Sequence, residues 1–328
     1  MRSEKLLCLL QLLHAVYGEC PVQLHPSSLV VRYGDSASAN CTVSEGHLGI
    51  GWEASEGSVN MVQDVQFVTW KVENLRDWHI EPNCFVNFMK GAEYQQCVEA
   101  LQVTLYKTPD SVSISSVDHT GPMVEGRQYQ LRCEVQNIAP VQNVTVKWYQ
   151  GEKGSTKGER SFDSITKTPA NVASTLTITP SRTDNGVQYS CVAKLELGPE
   201  GPQTPTEVTS EPLKITVHYA PEFTCDYSYE VTEKQNYTLN CTVVGHPVPE
   251  VTWMKQGKKV ELPPHLSKKD AGLYTLIATN TYGTVNHTLE IKVVSSREVN
   301  VITISVVVFL LVVVSFLCII GLYMWRKN

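Results

Sequence analysis

The side chains that could carry chemistry are sparse and poorly grouped in these 328 residues. The nine histidines lack metal-ligand spacing: His246 and His265 have no partner at a useful offset, and His14 lies in the leading apolar segment. Gly49 and Gly51 form a bare two-glycine spacing with no helix behind them to hold a phosphate. No hydrolase or kinase signature is present, so neither an enzyme nor a cofactor or resident metal is expected. The net charge of −6 offers no basic stripe, which argues against a nucleic-acid partner. The remaining chemistry is oxidative. Of ten cysteines, Cys8 lies in the leading segment and Cys318 in a long uncharged run near the end. The other eight are an even number, which in an oxidising compartment implies disulfides.

Those cysteines must be positioned by strands. Cys133, Trp148 and the run Asp184-Asn-Gly-Val-Gln-Tyr-Ser-Cys191 have the order of two inter-sheet cysteines, a tryptophan packed on them, and a tyrosine two residues before the second cysteine. Ser174-Thr-Leu-Thr-Ile178 alternates as a strand should. This is the pattern of an immunoglobulin-like β-sandwich, and the chain between its two ends is long enough for about three of them. The expected organisation is all-β: three tandem sandwiches over 19–108, 109–218 and 219–294, followed by a single transmembrane helix.

The ends carry addresses. Arg2 and Lys5, the apolar stretch Leu6 to Val16 and the small residue Gly18 read as a secretory signal over 1–18. Val301 to Met324 is 24 residues without a charge, and at about 1.5 Å per residue a helix of that length reaches roughly 36 Å, enough to cross a bilayer. A span over 300–324 with Arg326 and Lys327 in the tail 325–328 predicts a single-pass type I plasma-membrane protein with its N-terminus outside. Cys318 near the inner leaflet is read as an inert apolar cysteine in preference to a lipidated one. Sequons at Asn40, Asn143, Asn236, Asn240 and Asn286 fit the same route as glycosylation sites.

In the first sandwich, strand-like runs at Ser28 to Val31, Val65 to Val72 and Leu101 to Tyr106 accompany Cys20, Cys41, Cys84 and Cys97. Of the three pairings four cysteines allow, strand order favours Cys41 with Cys84 and Cys20 with Cys97. In the second, Cys133 is expected to pair with Cys191. The short join Tyr106-Lys-Thr-Pro-Asp110, stiffened by Pro109, should hold the first two sandwiches as a near-fixed rod. The third has Cys241, Trp253 and Asp270-Ala-Gly-Leu-Tyr274, but Leu276 stands where the second core cysteine belongs. Cys225 and Cys241 either pair locally or stay free, and the segment from Trp253 to Tyr274 leaves room only for abbreviated strands. The third sandwich is therefore expected to be the least stable.

Pieces of the chain, in order, resemble the intercellular adhesion molecules. His47-Leu-Gly-Ile-Gly-Trp-Glu-Ala-Ser55 is similar to that family's Leu-Gly-Ile-Glu or Gly-Leu-Glu-Thr-Ser stretch, and Asn74-Leu75 with Pro82-Asn-Cys84 to its approach to strand F. Val103-Thr-Leu-Tyr-Lys-Thr-Pro-Asp-Ser-Val112 resembles its interdomain join. Leu131-Arg-Cys-Glu-Val135, Ala139-Pro140 and Gly151-Glu-Lys153 resemble its second domain, and His246-Pro-Val-Pro-Glu-Val251 its last. The resemblance implies a ligand for leukocyte integrins on an opposing cell, with a glutamate of the first domain completing a magnesium ion held by the integrin. Aligned on Gly-Leu-Glu-Thr-Ser, that acid is Glu53; aligned on Leu-Gly-Ile-Glu, it arrives two residues late, and Glu56 and Asp64 are the substitutes. Trp52 beside it is read as core. The family's doubled bridge is not kept, since Glu45 and Phe88 occupy the second cysteines' places. Two other partner classes stand beside the integrin. A signalling receptor is disfavoured by a four-residue tail without tyrosine. Homophilic adhesion, through a homo-oligomer on the exposed face of the first domain, would need no divalent metal.

Overall fold

The computed structural model describes residues 20–44, 46–151, 155–203, 206–295, 309–313 and 317. They fall into two compact units. The larger holds two sets of strands, and the smaller a third set together with the segments Gly121–Arg127 and Thr179–Gly186.

The first set comprises β1 (Val22–His25), β2 (Ser28–Arg32), β3 (Ala37–Val43), β4 (Gly49–Glu53), β5 (Val59–Val62), β6 (Phe67–Val72), β7 (Asn83–Lys90), β8 (Glu93–Ala100) and β9 (Gln102–Tyr106). One sheet has the order β1-β3-β6 and the facing sheet β5-β4-β7-β8, while β2 pairs in parallel with β9. Alternation explains the faces: Ala37, Ala39, Cys41 and Val43 of β3 point inward, as do Ile50 and Trp52 of β4. Cys41–Cys84 joins the two sheets and Cys20–Cys97 ties the leading residues to β8. Phe88 is half-buried against this core, so a side chain that is large and apolar fills the space a second inter-sheet bridge would take.

The second set comprises β10 (Ser111–Ser116), β12 (Tyr129–Ile138), β13 (Val144–Gln150), β14 (Ser155–Ser161), β15 (Ala170–Ile178), β16 (Gln188–Leu195), β17 (Glu207–Thr209) and β18 (Leu213–Lys214); β11 (Met123–Val124) belongs to the smaller unit. The sheets are β10-β12-β15 and β14-β13-β16-β17, the latter with β18 also on β16. Cys133–Cys191 links them beneath Trp148, whose indole N–H donates to Ser174 Oγ at 3.0 Å. The connection from the first set is pinned. Lys107 pairs by its backbone with Ala139, its ammonium donates to Asn137 O at 3.1 Å and contacts Asp110, and Asn137 Nδ2 donates to Asp110 Oδ2 at 2.7 Å.

The third set comprises β19 (Val217–Cys225), β20 (Ser228–Thr232), β21 (Cys241–His246), β22 (Glu250–Lys255), β23 (Lys258–Val260), β24 (Gly272–Asn280) and β25 (Gly283–Val294). One sheet runs β20-β25-β24-β22-β23 and the other β11-β19-β21. β19 runs across the expected boundary at 218/219. Cys225–Cys241 bonds two neighbouring strands of a single sheet, and Tyr274 OH donates to Asp270 O at 2.6 Å in the corner before β24. In the same unit Arg182 binds the Glu125 carboxylate at 2.9 and 3.0 Å and contacts Glu222, and it holds the Glu125 carboxyl below its ordinary range.

Among the described residues no helix is long and apolar enough to cross a membrane. The expected span 300–324 is described only at 309–313 and 317, which are helical, and the expected signal over 1–18 lies outside the described residues, as do Glu45 and Cys318.

Candidate functional site

Glu53 closes β4, and the strand's sequence decides where its carboxylate goes. Gly49, Gly51 and Glu53 share the outward face while Ile50 and Trp52 enter the core. Trp52 is 1% exposed and its indole N–H donates to Val68 O at 3.2 Å, so its reading as core holds. Glu53 itself is exposed, its backbone opposite Asn83 of β7, and among the described residues no hydrogen bond or ion pair engages its carboxylate.

The two glycines have a geometric purpose. A Cβ on Gly51 would meet Phe85 Cζ at 2.5 Å and Val59 O at 2.8 Å, and one on Gly49 would overlap Met61. Without side chains there, Phe85 packs over Gly51, two residues from the acid on the same face, and Met61 packs over Gly49 at the strand's other end. Met61, Met89, Tyr94 and Val98 are 46 to 61% exposed, and the register places Phe85 opposite Val98 and Met89 opposite Tyr94 on this outward face. Asn87 sits between them, 7% exposed, with Nδ2 against Met61 Sδ at 3.2 Å and Oδ1 without a partner among the described residues. The sequence reading missed this platform, because a strand that is apolar on both faces gives no alternation to mark the outer one. The glycine pair in β4 was its available signal.

The two substitute acids lie elsewhere. Glu56 is half-buried and its carboxylate accepts from the Arg76 backbone N–H at 3.3 and 3.4 Å, while its carbonyl accepts from Trp70 Nε1 at 2.8 Å. Asp64 is exposed in the turn after β5, at positive φ. Because Trp52 pairs with Val59 and Ile50 with Val62, this turn is at the opposite end of β4 from Glu53, roughly 13 Å away at about 3.3 Å per residue. The loop after Glu53 is braced by Ser55, whose hydroxyl donates to Asp77 Oδ2, and by the His79 N–H on Asp77 Oδ1 at 2.8 Å. These two donors, the Ser55 hydroxyl foremost, hold the Asp77 carboxyl below its ordinary range.

Gly57 fixes the same loop. At φ +74° its Cβ position lies 2.7 Å from Lys71 O, so Gly57→Val is expected to cost on the order of 2–3 kcal/mol through strain alone, with the clash added. Gly34→Ala is the control, because φ is +87° but nothing stands within 4 Å. Chemical denaturation showing equal losses for the two would remove the steric argument.

The remaining named residues are placed as follows. Asn240, Asn236 and Asn286 are exposed; Asn40 Oδ1 accepts from Thr69 Oγ1 at 2.7 Å and Asn143 Nδ2 donates to Glu196 O at 2.8 Å. His246 stacks edge-on against His218, 4.8 Å between centroids, and His265 is exposed; among the described residues no cluster of three metal-ligating side chains occurs.

Comparison with known proteins shows what the chain is similar to. Residues 113–196 match the immunoglobulin C1-set domain and residues 220–298 the immunoglobulin domain. Intercellular adhesion molecule 1 of Bos taurus is 28% identical over 253 residues, 73% of this chain and 43% of that protein. The human protein of that name is 27% identical over 219 residues, 65% of this chain and 38% of that one. The chain carries immunoglobulin domains and is similar to the intercellular adhesion molecules. Vascular cell adhesion protein 1 of Rattus norvegicus is 24% identical over 212 residues, covering 61% of this chain and 28% of that protein. The matched part of the chain thus spans less than half the length of each of these relatives. Among solved structures, the full ectodomain of mouse nectin-like molecule 4 superposes with a TM-score of 0.51 at 17% identity, over 82% of this chain and 98% of that one. At that identity the likeness concerns the fold.

Proposed function

We propose that this chain is a cell-surface adhesion ligand whose Glu53 carboxylate completes a Mg²⁺ site on a leukocyte integrin of an opposing cell. The observation that carries the reading is a strand-end carboxylate, exposed and unengaged among the described residues, at the edge of an apolar platform of Phe85, Met61 and Val98. Mg²⁺ is a hard cation that takes one or two carboxylates directly, and an acid already spent on an internal partner would have to give that up. The uncharged run Val301 to Met324 supports an anchor in the plasma membrane with the sandwiches outside, and the sequons support glycosylation on that side.

The test is binding of the full chain, displayed on cells, to immobilised leukocyte integrin in Mg²⁺ and then in chelator. Binding that disappears with the metal supports the reading. The same apolar platform favours a second reading, a copy of this chain on the opposing cell, and adhesion between displaying cells that persists in chelator would move the assignment there.

A further inference from the structure

The third set of strands lacks a strand that the other two have. In the first set the cysteine strand β3 is central, flanked by β1 and β6, and in the second β12 is flanked by β10 and β15. The corresponding β21 is paired only with β19, and among the described residues nothing pairs with its other edge. The cause is in the sequence. Only Glu261-Leu-Pro-Pro-His-Leu-Ser267 connects β23 to the turn before β24, and the Pro-Pro pair cannot donate to a ladder. Burial records the gap: Leu131, Cys133 and Val135 of β12 are fully buried, whereas Cys241, Val243 and Gly245 of β21 are half-exposed, and so is Trp253. A strand edge that no neighbouring strand covers among the described residues, with no Lys or Pro along Cys241–His246, is a template for pairing with a like strand.

Asn240 stands at the head of that edge strand. The tripeptide Asn-Cys-Thr recurs, as Asn40-Cys41-Thr42 within β3 and as Asn240-Cys241-Thr242 at the start of β21, where Asn240 is the residue just before the strand. In the first set Asn40 is opposite Thr69 of β6 and accepts its hydroxyl, so a side chain at this position reaches toward the flanking strand. Asn240 has no such strand beside it. Its side chain is exposed and without a hydrogen-bond partner among the described residues, on the outward face with Thr242 and the 45% exposed Val244.

We propose that Asn240 carries an N-linked oligosaccharide that covers the free edge of β21 and prevents it from pairing with β21 of a second copy. The step joins Asn240 Nδ2 to the anomeric carbon of an oligosaccharide supplied on a lipid pyrophosphate. The N–C bond forms as the carbon–oxygen bond to the pyrophosphate breaks, the lipid pyrophosphate leaves with the electron pair, and Nδ2 releases one proton. The proposal rests on the cell-surface reading, since that route brings the chain to the donor.

The experiment co-expresses two differently tagged full-length copies in secreting animal cells, reading site occupancy by glycosidase shift and self-association by surface cross-linking. Asn240→Gln and Thr242→Ala should each lose one glycan and raise the cross-linked dimer several-fold, while Thr242→Ser, which keeps the sequon, and Asn286→Gln leave the dimer unchanged. Adding Val244→Lys to Asn240→Gln should return it to the starting level by placing a charge on the edge. Occupied Asn143 with empty Asn240, or an occupied Asn240 whose loss leaves cross-linking unchanged in both variants, overturns the proposal alone. Five empty sequons overturn the cell-surface reading and this proposal with it.

Discussion

Glu53→Gln is expected to weaken Mg²⁺-dependent integrin binding by roughly 30-fold or more, because leaving a desolvated charge without its partner costs about 2–5 kcal/mol and each 1.4 kcal/mol is tenfold. Glutamine keeps the length and the carbonyl but removes the charge, so the metal loses a hard anionic ligand while the platform around it stays the same. The fold should not register the change, since no internal partner of Glu53 is lost among the described residues. The two neighbouring acids predict a different pattern. Asp64→Asn lies at the far end of the β4–β5 hairpin and should leave binding within about twofold, as exposed charges away from a contact usually do. Glu56→Gln weakens an acceptor for the Arg76 N–H and should lower stability by about 0.5–1.5 kcal/mol with a smaller effect on binding. Surface-plasmon measurements on the three variants, each checked by thermal unfolding, separate the cases. Binding that survives Glu53→Gln and fails with Asp64→Asn would relocate the contact to the other end of the sheet.

What the sequence reveals here follows from which interactions are local. β2, β6 and β9 are legible as apolar runs, β6 most clearly because alternation puts Val68 and Trp70 in the core, and the corner tyrosines Tyr189 and Tyr274 are legible because each stands two residues before the core cysteine position of its own strand. The outward face of β7 and β8 is not, since its apolar residues depend on the absence of a covering partner, which no local pattern encodes. The third set shows the same limit. Leu276 in place of a cysteine and the short segment after Trp253 announce abbreviated strands. That the flanking strand is missing altogether, leaving β21 as an edge, emerges only from the pairing. Asp77 is a further case: its clasp on Ser55 spans 22 residues and has no signature in either segment.

Replacing Cys133 and Cys191 together by alanine is expected to destabilise the second set of strands by about 4 kcal/mol, the loop-closure value for a bridge spanning 58 residues. Against a total of about 5–15 kcal/mol for a domain, that removes a large share of the margin. Both cysteines and Trp148 are fully buried between the sheets, so the change also leaves two sulfur-sized gaps beneath the indole. The corresponding change at Cys225 and Cys241 spans 16 residues and should cost about 3 kcal/mol by the same relation, but it acts differently. That bridge joins adjacent strands of one sheet, so the third set has no covalent clamp between its sheets even when oxidised. Its core is also smaller, with seven buried residues among those described against sixteen in the first set. Hydrogen exchange on the full chain should therefore find β19–β25 opening first in the parent protein, with β12 and β16 among the most protected amides. In the Cys133→Ala, Cys191→Ala chain the order should reverse, β12 and β16 exchanging at or before the rate of β24. An unchanged order would mean that packing around Trp148, and not the covalent link, sets the stability of the second set.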